Sequence, residues 1–306
     1  MNICMLTQRL CRKYGDERGI AMIADAGFQS IDYSMFFSVD SGILASPDDE
    51  IRAHFSKVRE IVEKNGLYVY QTHTPFPVIV DNPERNEVIF EAERKALLAS
   101  GILGARHAVV HPTHYFKKPD GSFGQRFYNF DKKQNKAANM EFYSRLIPYL
   151  DEYGTRIAIE NMWITDPVKK VICPTVCSDP HEIVDYVDTL NGMCKNGKRF
   201  VACLDVGHTN LSCRDMSIRE IVNVLGDRLE ALHIHDTDGV HDNHTAPGFG
   251  NIDWEGFCLG LKDIGYQGDF VYEADNFFTS FDESLMYDAT VLLYRIAKNL
   301  CDKYKL

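Results

Sequence analysis

The sequence lacks any apolar run long enough to cross a membrane, and its basic residues are outnumbered by acidic ones. Its 306 residues include 33 Lys and Arg against 44 Asp and Glu, a formal net charge of −11. Proteins that bind nucleic acid neutralise its phosphates with Lys and Arg, and membrane spans need about 20 apolar residues. We therefore expect neither a nucleic-acid partner nor a membrane partner.

A secretory signal and a phosphate-binding glycine loop are also missing. Residues 1–6 are too short for the apolar region of a signal peptide and are typical of a strand. The nine cysteines, an odd number, are scattered from Cys4 to Cys301. We therefore expect a reduced, cytoplasmic protein. No P-loop, and no run of glycine turns with Lys or Arg at a helix start, points to a phosphorylated substrate.

What the sequence does contain is an alternation of strand and helix patterns that repeats eight times. The strand-like segments are residues 2–7, 30–35, 67–72, 106–111, 156–160, 200–205, 229–235 and 269–273. The helical patterns are residues 16–26, 47–65, 83–101, 132–153, 179–190, 217–225, 254–264 and 281–303. This alternation predicts an α/β protein with one domain, residues 1–306, folded as a (β/α)₈ TIM barrel. The long connection at 112–130 is expected to be a lid or binding loop.

Polar residues concentrate where the predicted strands end. The densest stretch is Leu232-His233-Ile234-His235-Asp236, which is followed by Asp242-Asn243-His244. Side chains alternate faces along a strand, so His233 and His235 point the same way. Other strands run into His73, His111, His114, Glu160, Asn161, Asp205, His208, Glu273 and Asp275. Because active sites of such barrels lie at the carboxyl ends of the strands, these residues predict the site.

Imidazoles and carboxylates together are ligands for a divalent metal ion. Mn²⁺ is the expected cofactor, with Mg²⁺, Co²⁺ or Zn²⁺ as alternatives. Such an ion polarises a substrate carbonyl, so that one carboxylate can remove the neighbouring proton and another can return it. This chemistry predicts a metal-dependent isomerase or epimerase whose partner is a small sugar, a ketose or an aldose. The same metals also activate water, so hydrolysis remains open.

The motifs of this chain resemble those of the xylose-isomerase-like barrel superfamily. They are Glu160-Asn161, Leu204-Asp205-Val206-Gly207-His208, His233-Ile234-His235-Asp236, Asp242 with His244, Pro247-Gly248-Phe249-Gly250-Asn251-Ile252-Asp253-Trp254 and Tyr272-Glu273. That superfamily holds sugar phosphate isomerase/epimerase-like proteins, ketose 3-epimerases and endonuclease IV. The resemblance covers almost the whole chain and implies the same barrel.

Similarity to the ketose 3-epimerases implies a metal site at Glu160, Asp205, His235 and Glu273. Glu160 and Glu273 would also be the proton-transfer pair. The similarity further implies that His208 and Asp166 contact the substrate. We expect the same of the remaining strand-end histidines and one aromatic residue: His73, His111, His233 and Trp163. The arginine that these epimerases place after the seventh strand has no obvious counterpart.

Similarity to endonuclease IV implies another use of the same residues. By this similarity, three zinc ions would be held in this chain by His73, His111, Glu160, Asp205, His208, His233, Asp242, His244 and Glu273. A zinc-dependent abasic-site phosphodiesterase is therefore an alternative. Two features argue against it: the net charge of the chain is acidic, and Glu273-Ala274-Asp275 stands where the endonucleases have a Glu-Thr-Pro motif. A C-glycoside-cleaving lyase subunit and a barrel without catalysis are further alternatives. A homo-oligomer is compatible with the sequence.

Overall fold

A computed structural model describes residues 1–128 and 130–306 and shows eight parallel strands wrapped around a barrel axis. The described residues contain twelve strands: β1 (Ile3–Leu6), β2 (Ser30–Ser34), β3 (Tyr68–His73), β4 (His107–Val109), β5 (Tyr115–Lys117), β6 (Phe123–Gln125), β7 (Ile157–Glu160), β8 (Trp163–Thr165), β9 (Ile172–Pro174), β10 (Phe200–Asp205), β11 (Leu229–His233) and β12 (Phe270–Tyr272). Eight of them form the barrel, and β5–β6 and β8–β9 are separate antiparallel hairpins. The barrel order is β11-β10-β7-β4-β3-β2-β1-β12. The sheet closes between the chain segments that contain β11 and β12, because the N–H of Ile234 donates to the carbonyl oxygen of Val271 at 2.8 Å. The predicted barrel is confirmed.

Helices connect the strands and cover the outside of the barrel. They are α1 (Gln8–Tyr14), α2 (Asp16–Asp25), α3 (Asp48–Lys64), α4 (Pro83–Leu103), α5 (Lys132–Tyr153), α6 (Pro180–Met193), α7 (Val206–Ser212), α8 (Ile218–Leu225), α9 (Trp254–Asp263) and α10 (Met286–Tyr304). The predicted helices are present, and the two short helices α1 and α7 are additional. Both begin directly after a strand, at the end of the barrel where the site was expected.

Local sequence explains where several helices begin. Asp179 caps α6 by accepting the N–H of His181 at 2.9 Å, and Pro180 occupies the first turn. Ser217 and Glu220 form a reciprocal capping box at the start of α8. Such caps satisfy backbone N–H groups that have no partner within the helix.

The barrel interior beneath the strand ends is filled by small apolar side chains. Val109, Ala158, Val201, Cys203 and Ala231 form a buried cluster of their own. Side chains two residues apart on a strand share a face, so the last residues of β7, β10 and β11 stack directly above this layer. The polar residues at the strand ends therefore rest on a closely packed apolar layer.

The connection at residues 112–130 forms the antiparallel hairpin β5–β6. Arg126 links this hairpin to α6, because its buried guanidinium donates to both carboxylate oxygens of Glu182 at 2.6 and 2.8 Å. Asn129, which belongs to the same predicted loop, lies outside the described residues.

All nine cysteines are free thiols. In the described part of the chain, no helix has both the length and the apolar character of a membrane span.

Candidate active site

Four polar side chains stand together where four strands of the barrel end. Glu160 ends β7, Asp205 ends β10, His233 ends β11, and Glu273 directly follows β12. Parallel pairing sets their level, since Asp205 lies opposite His233 in the register of β10 and β11. One ligand-type atom from each of the four lies within 4.8 Å of the other three, and all four side chains are buried. We call these four residues the central set.

His233 stands in the middle of the central set. Its Nδ1 lies 3.1 Å from Oε1 of Glu160 and 3.2 Å from Oε2 of Glu273. Neither ring nitrogen of His233 makes a hydrogen bond within the described residues, and Oε2 of Glu160 also has none. Buried polar atoms without hydrogen bonds are costly. Atoms that converge without bonding one another fit a bound divalent cation, for which carboxylate oxygens and imidazole nitrogens are suitable ligands.

The imidazole of the central set is His233, whereas His235, which the sequence comparison implied as a metal ligand, belongs to a neighbouring group. Regular pairing of β11 ends at His233, whose ring is therefore level with Asp205. His235 lies two residues further on, with Nε2 3.0 Å from Oδ1 of Asp205 and its ring stacked on His244 at 3.9 Å between centroids. Strand alternation fixes the face that a side chain occupies but not its level, so the sequence could not separate the two histidines.

A second group lies beside the first, closer to the open end of the barrel. His208, His235, Asp242 and His244 each offer a ligand atom within 4.8 Å of the others, and we call them the rim set. Oδ2 of Asp242 lies 3.0 Å from Nε2 of His244 and 3.7 Å from Nε2 of His208. Nδ1 of His208 lies 2.8 Å from the carbonyl oxygen of Asn161, which fixes the ring. The rim set has the donors to hold a second cation.

His73 and His111 join the cluster through Glu160. Nε2 of His111 lies 2.9 Å from Oε2 of Glu160, and Nε2 of His73 lies 3.7 Å from the same oxygen. The two histidine Nε2 atoms are 3.1 Å apart. The ring of His73 also lies parallel to that of His233, with 5.1 Å between centroids. Glu160 is therefore shared between this histidine pair and the central set.

The pKa values of the two glutamates in the cluster are shifted in opposite directions. Burial opposes the ionisation of Glu160, but His233 and His111 outweigh burial and hold the pKa of Glu160 well below its usual value. Burial raises the pKa of Glu273 to about 8, against the opposing charge of His233. Burial also lowers the pKa of His73 to about 4. Without a cation, the cluster therefore favours one ionised and one protonated glutamate at neutral pH.

Asp236, the acid that follows His235, orders the loop after β11. Its Oδ1 accepts the N–H groups of Thr237 at 2.9 Å and Ile252 at 3.2 Å. Its Oδ2 accepts the N–H of Gly248 at 2.8 Å and the indole N–H of Trp254 at 2.9 Å. Four hydrogen bonds to one buried carboxylate explain why this acid stands here, and its role is structural.

A cavity of about 590 Å³ opens above the cluster. Of the residues expected to contact substrate, His73, His111, His208 and Trp163 line this cavity, whereas His233 is fully buried beneath it. Phe76 also lines the cavity, with its ring stacked on that of His111 at 4.8 Å. An opening with aromatic walls and polar groups at its base is the usual form of a small-molecule site.

Asp166 does not reach this cavity, contrary to expectation. It lies on the turn between β8 and β9, where its Oδ1 accepts the N–H groups of Val168 at 2.8 Å and Lys169 at 2.9 Å. The chain after β7 folds into this hairpin and carries Asp166 away from the strand ends. In this structure Asp166 therefore stabilises a turn.

The cavity also has three basic residues that the sequence analysis did not single out. Arg9, Arg12 and Lys13 lie on α1 and line the opening. A signal for them was present, because their spacing places them on one face of a helix directly after the first strand. The helix has only seven residues, which is too short for its periodicity to stand out.

This fold and this cluster at the strand ends define a family. A family model for xylose isomerase-like TIM barrels matches residues 20–286, and the chain belongs to that family. An uncharacterised protein of Methanocaldococcus jannaschii is 25% identical over 216 residues, which cover 69% of this chain and 67% of that protein.

Solved structures with the same fold include two sugar epimerases. D-Psicose 3-epimerase from Clostridium cellulolyticum, with D-tagatose, has a TM-score of 0.72 at 15% identity and covers 98% of this chain and 99% of its own. The 3-keto-D-glucoside 4-epimerase from E. coli has a TM-score of 0.69 at 15% identity, over 96% of this chain and 99% of its own. A D-tagatose 3-epimerase-like protein has a TM-score of 0.69 at 20% identity, over 99% of both chains. At these identities the likeness establishes a shared fold.

Proposed function

We propose that this protein is a metal-dependent isomerase or epimerase that moves a proton at the carbon next to the carbonyl of a sugar. The observation that carries the proposal is the placement of Glu160 and Glu273, each within 3.2 Å of the same ring nitrogen of His233. The two glutamates come from β7 and from the end of β12, with β10 and β11 between those strands. Two carboxylates therefore reach one cavity from different sides.

The central set provides the ligands for a divalent ion, which when bound would polarise the carbonyl of the substrate. The protein's own carboxylates then account for the proton transfer. Glu160 and Glu273 are positioned to remove a proton from one face of the substrate and to return it to the other. His208 and Trp163, which line the cavity, are the groups proposed to hold and cover the sugar. The similarity in fold to D-psicose 3-epimerase and 3-keto-D-glucoside 4-epimerase supports a sugar as the substrate.

The experiment that tests this proposal is solvent deuterium incorporation into a panel of ketoses and aldoses. The protein is stripped of metal with a chelator and reloaded with Mn²⁺, Mg²⁺, Co²⁺ or Zn²⁺ in separate samples. We expect deuterium at the carbon next to the carbonyl of at least one sugar, with loss of exchange in the stripped sample. Asp166→Asn is a suitable control because Asp166 lies outside the cavity, and it should exchange at the parental rate. Absence of exchange with every metal and sugar would contradict the proposal.

A zinc-dependent phosphodiesterase is a second candidate, favoured by one specific observation. The structure brings all nine residues of the alternative zinc set into one connected cluster, because the rim set and the histidine pair adjoin the central set. Against it stands the net charge of −11, which opposes the approach of a phosphate backbone. Incision of an abasic duplex by protein carrying about three zinc ions would favour this candidate. One metal ion per chain and no incision would favour the isomerase or epimerase.

A further inference from the structure

Three basic side chains on the first helix line the same cavity as the two glutamates. α1 follows directly after β1, and its Arg9, Arg12 and Lys13 border the opening above Glu160 and Glu273. Residues three and four positions apart lie on one face of a helix, so the three positive charges project from the same side of α1. In a chain with a net charge of −11, this is a local concentration of positive charge.

Two of these three cations have no acidic partner within the described residues. Nζ of Lys13 lies 3.3 Å from Oε2 of Glu283. Arg9 and Arg12 form no ion pair within 4.0 Å in residues 1–128 and 130–306. Asp275 also lines the cavity, but its carboxylate stays beyond ion-pair distance of Arg9. The guanidinium groups of Arg9 and Arg12 are therefore available to an anion in the cavity.

Several arginines elsewhere on the surface hold carboxylates in two-pronged contacts. Arg145 donates to both oxygens of Glu87 at 3.0 and 2.7 Å, and Arg219 to both oxygens of Asp263 at 2.6 and 3.0 Å. Acidic residues are abundant in this chain, so partners for surface arginines are readily supplied. What distinguishes Arg9 and Arg12 from other unpaired arginines, such as Arg52 on α3, is that both line the cavity above the two glutamates.

We propose that Arg9 and Arg12 bind an anionic group of the substrate, so that the substrate is a sugar bearing a phosphate or a carboxylate. The planar fork of a guanidinium matches both groups through paired hydrogen bonds. The proposal rests on the proposed function for the carbonyl that reacts at Glu160 and Glu273. It adds the charge at another part of the same molecule, which the sequence did not indicate because no phosphate-binding motif is present.

The first test measures binding and does not depend on turnover. Inorganic phosphate is titrated by calorimetry into the metal-loaded parent, the double variant Arg9→Gln/Arg12→Gln and the control Arg52→Gln. Arg52 is exposed on α3, outside the cavity, and also forms no ion pair among the described residues. We expect the double variant to bind phosphate roughly tenfold to hundredfold more weakly, and the control to match the parent. Equal affinity in parent and double variant, or no binding to either, would overturn the proposal.

The second test compares three matched sugars in the deuterium-exchange assay: a neutral ketohexose, its 6-phosphate and its 6-carboxylate. We expect the lowest KM for one of the two charged sugars, and which of them has it distinguishes phosphate from carboxylate. In the double variant, the KM for that sugar should rise at least about tenfold more than the KM for the neutral one. Equal KM values for all three sugars would overturn the anion subsite and leave the proposed function standing. Arginine-dependent phosphate binding without exchange on any sugar would refute the proposed function and leave the subsite standing.

Discussion

Oδ2 of Asp32 lies 3.3 Å from Nε2 of His233, on the opposite side of the ring from Glu160 and Glu273. Asp32 is fully buried, and the same oxygen accepts a hydrogen bond from Nε2 of Gln71 at 2.7 Å. A carboxylate behind a metal-binding imidazole fixes the tautomer and orientation of the ring. We therefore propose that Asp32 orients the ring of His233 in the proposed metal site, although it does not line the cavity.

Replacing Asp32 with Asn should weaken metal binding by about tenfold to hundredfold, because His233 would lose the carboxylate that orients it. The measurement is competition for the metal against a chelator of known affinity. Asp269→Asn is the matched control, since Asp269 is buried and accepts hydrogen bonds from Ser30 at 2.5 Å and Tyr68 at 2.6 Å, away from the site. The control should lose stability without losing metal affinity. Parental affinity in Asp32→Asn would contradict the positioning role.

Gly207 is in close contact with the rim set. A Cβ at this position would overlap the ring of His235, so the backbone at the start of α7 can approach the ring only because residue 207 is glycine. Gly207→Ala should displace His235 from Asp205 and cost about 1–3 kcal/mol of the free energy of unfolding, a typical cost of overpacking.

The measurement is urea denaturation of the parent, Gly207→Ala and Gly192→Ala. Gly192 lies within α6, and a Cβ there would meet open space. Gly192→Ala should therefore be neutral or slightly stabilising, since alanine favours a helix over glycine. Equal stability of the two variants would show that His235 is not held by the backbone of Gly207.

Glu93 gives the structure a pH dependence that can be measured apart from the site. It is fully buried on α4, and burial raises its pKa to about 8. The folded state therefore favours the protonated form, so the contribution of Glu93 to stability is complete below about pH 4.5 and is lost as pH rises toward 8. Glu93→Gln mimics the protonated form and should gain on the parent across this window, by at most about 1.4 kcal/mol per pH unit.

Urea denaturation at several pH values between 5 and 8 measures this difference. Comparing parent and variant at each pH cancels the titration of all other groups. Glu60→Gln serves as the control, because Glu60 is exposed on α3. The control should differ from the parent by the same small amount at every pH. A difference for Glu93→Gln that does not change with pH would show that Glu93 is ionised in the folded protein throughout.

The sequence predicted the barrel because its repeat of strand and helix patterns is a local property of the chain. Among the helix ends that it misplaced, one has a reason that is not local. The predicted helix at residues 83–101 was expected to stop at Gly101, yet the corresponding α4 continues to Leu103 and ends at Gly104, whose φ is +72°. A Cβ on residue 101 would lie 2.5 Å from the carbonyl oxygen of Tyr153, so this glycine serves helix packing. Only the packed structure shows such an approach.

The membership of the site followed from the strand ends, but the arrangement within it did not. His233 ends β11 and His235 follows it by two residues, and the register of β11 with β10 places His233 opposite Asp205. The basic residues of α1 were missed because a seven-residue helix gives little periodic signal. Levels along the barrel axis and contacts between distant elements are properties of tertiary structure, which no single strand pattern contains.

The most direct test of the central claim is deuterium exchange by Glu160→Gln and Glu273→Gln, measured beside the metal content of each protein. Both variants keep the shape of the side chain and remove the charge and the base. We predict that exchange on the substrate found for the parent falls by about 10²–10⁴-fold in each variant, the usual loss for a general acid or base. Rates should be expressed per metal-loaded chain, so that lost metal is not counted as lost chemistry. Exchange at the parental rate in either variant would contradict the assignment of these two glutamates as the proton-transfer pair.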